Sequence, residues 1–174
     1  MIWQGYLLTG LFGLIIGSFL NVLIYRIPRR KNVVFDRSKC PSCGKRIAWY
    51  HNIPVLSYLA LLGKCAYCRK PISLRYPAVE TINSALYLFF VWRFGFSAEF
   101  AVFSALGSAL LVIFFIDLDF QIIPDVITFP GMIAGLAVSF LPEGSGIVAA
   151  LIGLAVGGGA LYLAAVAGDF LFKK

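Results

Sequence analysis

Long apolar runs constrain this chain more than any other feature of its sequence. Residues 5–25 form an unbroken run of 21 residues without a charged side chain, close to the ~20 residues that an α-helix needs to cross the hydrocarbon core of a bilayer. Four further, predominantly apolar runs follow at 78–92, 100–116, 125–141 and 147–167. With 60% hydrophobic and 13% charged residues, the sequence predicts an all-α polytopic membrane protein with about five transmembrane helices.

Positive charge is concentrated between residues 26 and 77. This segment carries twelve Lys/Arg against a single acid, Asp36. Short loops rich in Lys/Arg stay on the cytoplasmic side of a membrane, so the segment is predicted to be cytoplasmic, with the N-terminus outside. The first apolar run is too long for a signal-peptide core and has no basic residue before it, so it is predicted to be a permanent span. Because membrane topology accounts for the basic charge of this segment, no nucleic-acid partner is expected.

The predicted organisation therefore has three parts. A first transmembrane helix occupies residues 1–25, a basic cytoplasmic insert residues 26–77, and a four-helix transmembrane part residues 78–174. The insert is too small to bury a sizeable apolar core, so a bound metal is expected to supply much of its folding free energy.

All four cysteines lie in this insert, as two C-x-x-C pairs separated by 21 residues. Doubled spacing of this kind is typical of a four-thiolate zinc site, which makes the insert zinc-ribbon-like. Two disulfides are disfavoured in the cytoplasm, and a dithiol redox centre would need an adjacent βαβ unit. Because four thiolates complete a tetrahedron, His51 is interpreted as an ordinary surface or packing residue. The predicted zinc ligands are Cys40, Cys43, Cys65 and Cys68.

A short acidic segment follows the third predicted span. Asp117 falls at the C-terminal end of that helix, where the helix dipole disfavours an acid, and acids kept at a membrane boundary usually have a function. Asp117 is therefore the predicted catalytic residue, whereas Asp119 is interpreted as an exposed loop charge and Asp125 as a helix N-cap. Two carboxylates sharing a proton can activate water against a peptide bond. Asp169, near the inner end of the fifth span, is a weak candidate for the second.

Two polar residues lie inside predicted spans. Asn21 is expected to make an interhelical hydrogen bond rather than to contact substrate. Glu80 has two interpretations that the sequence leaves open: it complements the positive N-terminus of its helix, or it lines a polar cavity near the cytoplasmic face.

Five motifs, in this order, resemble those of the bacterial type IV prepilin peptidases. They are GSFLNVLIYRIP at 17–28, the paired CPSC and CAYC, HNIPVLSYL at 51–59, ISLRYPAVE at 72–80 and IDLDFQIIPD at 116–125. The match covers nearly the whole chain. The resemblance implies a multi-pass aspartic protease of the G-x-G-D class in the bacterial inner membrane. Such enzymes cut the basic leader from type IV prepilins, or from the related pseudopilins of type II secretion, at the cytoplasmic face.

The same resemblance implies site residues, cofactors and partners. Asp117 corresponds to the first catalytic aspartate of the family, and the four cysteines match the zinc motif of members that also methylate the new N-terminal amine with S-adenosylmethionine. The implied partners are prepilin or pseudopilin substrates and the lipid bilayer. In one departure, Asp169 follows Val166-Ala167-Gly168, so the first glycine of G-x-G-D is absent. We therefore expect the chain to end before that motif and the second aspartate to lie beyond Lys174.

Two other functions are compatible with parts of the sequence. A non-catalytic membrane scaffold, whose zinc knuckle binds a partner protein, would tolerate Asp117→Asn. A small transporter would use intramembrane acids as a proton relay, but here the acids cluster at one face instead of crossing the membrane. The peptidase remains the main prediction.

Overall fold

A computed structural model of the chain describes residues 2–33, 37–140, 144 and 146–171, and these ranges contain helices and no strand. Its α-helices are α1 (Ile2–Arg26), α2 (Leu56–Ala60), α3 (Arg75–Phe94), α4 (Ala98–Phe120), α5 (Asp125–Val138) and α6 (Ile147–Leu171), with a 3₁₀ turn at Trp49–Asn52 before α2. The helical architecture confirms the all-α prediction. The turn predicted between the last two helices lies largely outside the described residues.

Two of these helices are long and apolar enough to cross a membrane, Trp3–Arg26 and Ala98–Phe120. The second predicted span is also helical, as α3, while α5 and α6 contain the shorter apolar stretches Asp125–Val138 and Ile147–Ala160. Length and composition thus support two spans in the part of the chain described. The count of about five remains a prediction.

The chain divides into two compact units, Met1–Ile127 and Thr128–Lys174. The first unit contains α1 to α4 and the whole basic insert. All of the side-chain clusters described below belong to this first unit. In the second unit, Pro130 lies inside α5.

Glycines let α1 and α3 pack backbone against backbone. A Cβ atom placed on Gly13 would lie 2.7 Å from the Cα of Ser84, and one placed on Gly17 would lie 2.6 Å from the Cα of Glu80. Neither distance leaves room for a methyl group. Small residues at helical spacing therefore bring the two helices together, as expected for membrane helices.

A buried polar link joins three helices beneath this contact. Asn83 donates from Nδ2 to the carbonyl oxygen of Gly13 in α1, at 2.8 Å, and its Oδ1 accepts from the Ser108 hydroxyl in α4, also at 2.8 Å. Asn83 itself has no exposed surface. The apolar core beside it consists of Leu20, Ile24, Val79, Leu111, Val112 and Ile116.

Candidate functional site

The four cysteine thiols converge in the insert. Their Sγ atoms all lie within 4.8 Å of one another, and all four are free thiols rather than members of disulfides. Tetrahedral zinc with Zn–S bonds of ~2.3 Å would place its sulfurs about 3.8 Å apart. The Sγ atoms of Cys40 and Cys68 are 3.9 Å apart. The cluster therefore fits a zinc ion, with one C-x-x-C pair on each side.

The two C-x-x-C turns have the same local structure. In each, the N–H of the first cysteine donates to a carbonyl five residues later, from Cys40 to Lys45 and from Cys65 to Lys70, both at 2.9 Å. In each, the residue after the second cysteine also has a positive φ. That residue is Gly44 in the first turn, at 69°, and Arg69 in the second, at 59°. Both turns are thus folded to aim two sulfurs at one point.

The close sulfurs and the turn N–H groups change the acidity of the thiols. The N–H groups of Cys68 and Tyr67 lower the pKa of Cys65 to about 6. The N–H of Lys70 also lowers the pKa of Cys68, but burial and the neighbouring thiols outweigh this effect and raise that pKa to about 11. One thiolate is therefore favoured among the four. A bound divalent cation would displace the protons of the other thiols and offset the negative charge of the thiolates.

Asp117 lies in the last turn of α4. The helix ends when Gln121 adopts the left-handed conformation (φ 53°) and its N–H donates to the Asp117 carbonyl at 2.8 Å. The Asp117 side chain is exposed, and within the described ranges no cation or hydrogen-bond donor contacts its carboxylate. Asp117 is thus an accessible acid at the end of an apolar helix, without an ion-pair partner among the described residues.

Asp119 has a different environment from Asp117. The guanidinium of Arg75 donates to both of its carboxylate oxygens, with 2.7 Å between Nη2 and Oδ1, and the same guanidinium lies over the ring of Phe115. The structure confirms that Asp119 is exposed but contradicts its assignment to a loop. Because α4 continues to Phe120, Asp119 is helical and is held by an arginine from the start of α3.

The other two acids considered in the sequence, Asp125 and Asp169, lie in α5 and α6, respectively. Asp125 is the first residue of α5, where its charge complements the helix N-terminus. Asp169 falls within α6, and its side chain lies outside the described residues. The structure thus places Asp117, Asp119 and Asp125 in one unit, and Asp169 in the other.

A cavity of about 770 Å³ opens between the insert and the ends of α1 and α3. Asn21 lines it and donates from Nδ2 to the Tyr76 carbonyl at 3.0 Å, which confirms the predicted interhelical hydrogen bond. Glu80 also lines it, as one of the two interpretations of that residue expected. The cysteine cluster contributes Cys40 and Cys65 to the wall. The volume is in the range of small-molecule binding sites.

The Glu80 carboxylate of α3 forms a hydrogen bond with the backbone of the insert. Its Oε2 accepts from the N–H of Val55 at 2.8 Å. Val55 has a φ of 59° and a ψ of −49°, and a positive φ is an outlier for a β-branched residue. The sequence shows neither feature, because no local pattern predicts a positive φ at valine.

His51 also lies in the cavity wall, which its interpretation as an ordinary residue did not foresee. Its Nδ1 is buried and has no hydrogen-bond partner within the described part of the chain, and its ring packs on Tyr50 at 4.5 Å.

Comparison with known proteins gives consistent matches along the chain. Residues 11–94 match the bacterial peptidase A24 N-terminal domain, and residues 104–174 match the type IV leader peptidase family. The prepilin leader peptidase/N-methyltransferases of Myxococcus xanthus, Neisseria gonorrhoeae and Stutzerimonas stutzeri are 47%, 35% and 35% identical to the chain over 145, 179 and 184 residues, respectively. These alignments cover 83%, 84% and 92% of the chain, and 43%, 61% and 62% of the relatives. The chain spans about half the length of the curated relatives it matches. No solved structure matches it.

Proposed function

Because the chain belongs to the type IV leader peptidase family, we propose that it acts as a membrane-embedded aspartic endopeptidase. Its substrates are type IV prepilins or pseudopilins, whose basic leader peptide it removes at the cytoplasmic face of the bacterial inner membrane. The new N-terminal amine is then methylated. The similar proteins are named prepilin leader peptidase/N-methyltransferase, which supports both activities.

The state of Asp117 is the observation that carries the peptidase proposal. Its carboxylate is exposed in the last turn of α4, whereas the acid two residues further on is already bound by Arg75. One carboxylate of an aspartic protease pair acts as the base that activates water, and the other donates a proton to the leaving group. Asp117 would supply one of them. We expect the other in a G-x-G-D motif, and Asp169 is the weaker candidate within the chain.

The charge distribution supports an arrangement of enzyme and substrate in the membrane. A cytoplasmic insert and an external N-terminus satisfy the preference of Lys/Arg-rich loops for the cytoplasm. The leader of the substrate is basic and would stay on the same side, while its apolar helix enters the bilayer. The basic insert does not attract this leader by charge, and it instead faces anionic lipid head groups.

Zinc has a structural part in this proposal. Four thiolates leave no open coordination position for a substrate. The metal would instead fix the two turns that carry Cys40 and Cys65 into the cavity wall. S-adenosylmethionine would supply the methyl group.

Replacement of Asp117 by Asn tests the peptidase proposal directly. The substitution keeps the shape of the side chain but removes its charge and its capacity to act as a base. In membranes that carry the protein and a prepilin, we expect cleavage to fall by about 10⁴-fold or more, because the catalytic pair is broken. Mass spectrometry of the pilin N-terminus measures the fraction of prepilin from which the leader has been removed.

Glu99→Gln, at the opposite end of α4, is the matched control and should leave cleavage unchanged. Normal processing by the Asp117 variant would discard the peptidase assignment. It would favour the scaffold, in which any Cys→Ser change in the zinc cluster abolishes function while the aspartate is dispensable.

A further inference from the structure

The basic insert contains one long uncharged segment. Residues 47–63 include no Lys, Arg, Asp or Glu, although the insert as a whole carries twelve basic side chains. Arg46 and Lys64 flank this uncharged segment directly, and both are exposed. One face of the segment, which includes Tyr58 and Leu61, lines the cavity. The opposite face therefore needs a separate explanation.

That opposite face of the uncharged segment is apolar and open. Trp49 and Leu62 are 81% and 83% exposed, and Leu56 and Leu59 lie one turn apart on α2, also exposed. None of these four side chains contributes to the cavity wall. An exposed apolar surface rimmed by polar residues is typical of a site that contacts a membrane or another protein. We call this surface the outer face, and its members are Trp49, Tyr50, Leu56, Leu59 and Leu62.

The depth of the uncharged segment along the helices favours the membrane. The Val55 N–H donates to Oε2 of Glu80 at 2.8 Å, and the backbone of Glu80 lies against Gly17 of α1. Gly17 comes eight residues before Tyr25, the last residue of the uncharged run in α1, a distance of ~12 Å along a helix. Glu80 comes five residues after the start of α3, a distance of ~8 Å. The loop therefore reaches past the ends of both helices, to the level of the apolar part of α1.

The backbone of the uncharged segment is suited to this depth because many of its polar groups have protein partners. The Ile53 N–H donates to the Ser57 hydroxyl at 3.0 Å, and that hydroxyl donates to the Tyr50 carbonyl at 2.9 Å. Pro54 has no N–H to satisfy. Non-helical backbone is tolerated at membrane depth only where protein or water satisfies it. Three further N–H groups donate to a carbonyl four residues earlier, each at 3.0 Å, and they belong to Ser57, Leu59 and Leu61.

We propose that the outer face of the uncharged segment inserts into the lipid leaflet on the side of the insert. Interfacial helices bury their apolar side chains ~5–10 Å into the boundary between head groups and acyl chains, which matches the depth of this loop. Trp49 suits that boundary, and Arg46 and Lys64 suit anionic head groups at the two ends of the segment. The inference goes beyond the proposed function, because it rests on α1 crossing the bilayer and not on cleavage of a leader.

Two tryptophan reporters test this placement in the full chain. Trp3→Phe/Trp92→Phe leaves Trp49 as the only tryptophan. Adding Trp49→Phe and Leu59→Trp moves the reporter to α2. Each protein is reconstituted in vesicles of phosphatidylglycerol and phosphatidylcholine, with and without bromine on the upper acyl chains of the phosphatidylcholine. The matched control carries Ser42→Trp instead of Leu59→Trp, in the exposed part of the first C-x-x-C turn.

We expect brominated lipid to lower the emission of the Trp49 and Leu59→Trp reporters by about half or more, and that of the Ser42→Trp control by less than about a tenth. Iodide, present on both sides of the vesicles, should quench the control most strongly. Zinc content and circular dichroism report whether each variant is folded. Because the Trp49 reporter needs no substitution in the insert, it gives a result even if the Leu59 variant misfolds.

Two outcomes would overturn the proposal. If iodide quenches the two reporters and brominated lipid does not, the outer face is in contact with water. If neither quencher acts on them, protein covers the outer face, either a second copy of the chain or another partner. Leader cleavage does not enter these measurements, so their result is independent of the peptidase assignment.

Discussion

The contact between α1 and α3 gives a quantitative test of the packing in the first unit. In Gly17→Ala, the new methyl carbon would meet the Cα of Glu80 at 2.6 Å, ~0.8 Å inside ordinary van der Waals contact. The obstacle is backbone, which no rotamer change can move. The two helices must therefore separate, or one of them must bend.

The expected cost follows from two opposing effects. Overpacking a tight contact costs about 1–3 kcal/mol, and separation of the helices also weakens the hydrogen bond from Asn83 to the Gly13 carbonyl, a class of bond worth ~0.6 kcal/mol in a membrane. Alanine recovers up to ~1 kcal/mol of helix propensity relative to glycine. We expect Gly17→Ala to lower the free energy of unfolding by about 0.6–2.6 kcal/mol.

Gly10→Ala is the matched control on the same helix. Its methyl carbon would lie 3.6 Å from the side chain of Leu88, an ordinary contact, so only the gain in helix propensity remains. Unfolding by SDS in mixed micelles, followed by circular dichroism, measures both variants. Equal stabilities for the Gly10 and Gly17 variants would refute the close backbone approach.

Three further tests address the polar link and the zinc cluster. Ser108→Ala leaves Asn83 Oδ1 without its donor and should cost about 1 kcal/mol, whereas Ser104→Ala removes a buried hydroxyl that has no partner within the described ranges and should be neutral or stabilising in the same unfolding assay. Gly44→Ala should weaken zinc binding by about 1 kcal/mol. The surrounding space is open, so the cost comes from the backbone conformation, with a φ of 69° at Gly44. Arg69→Gly should strengthen zinc binding by a similar amount, and competition with a chelator measures both variants. Zinc affinity should decrease as the pH falls through about 6, where the depressed pKa of Cys65 lies and its thiolate takes up a proton; pH-independent binding would contradict thiolate ligation.

Features encoded by short spacings could be predicted from the sequence. The paired C-x-x-C turns require only a few consecutive residues to aim their sulfurs, and the four thiols do meet in one cluster. The apolar runs likewise identified the helices, because lipid-crossing length and helical hydrogen bonding go together. Asn21 was correctly assigned to an interhelical hydrogen bond, since an amide within a membrane helix needs a partner.

Features that depend on distant pairs could not be predicted. Arg75 and Asp119 are 44 residues apart, and their pairing depends on where α3 begins and α4 ends. Glu80 meets Val55 across 25 residues through a loop whose conformation is strained. Neither pairing leaves a periodic signal, so one sequence could show that Asp119 and Glu80 are present but not which group each one binds.

The bond from Glu80 to Val55 also determines how this protein can be divided or recombined. An insert with a four-cysteine cluster between two apolar helices looks like a separate module, yet one of its loops accepts a contact from the following helix, because the Glu80 carboxylate binds the Val55 N–H. A chimera that exchanges the insert between relatives would therefore need its second breakpoint beyond Glu80. Breakpoints at the ends of the insert would combine the Glu80 carboxylate of one relative with the Val55 loop of another.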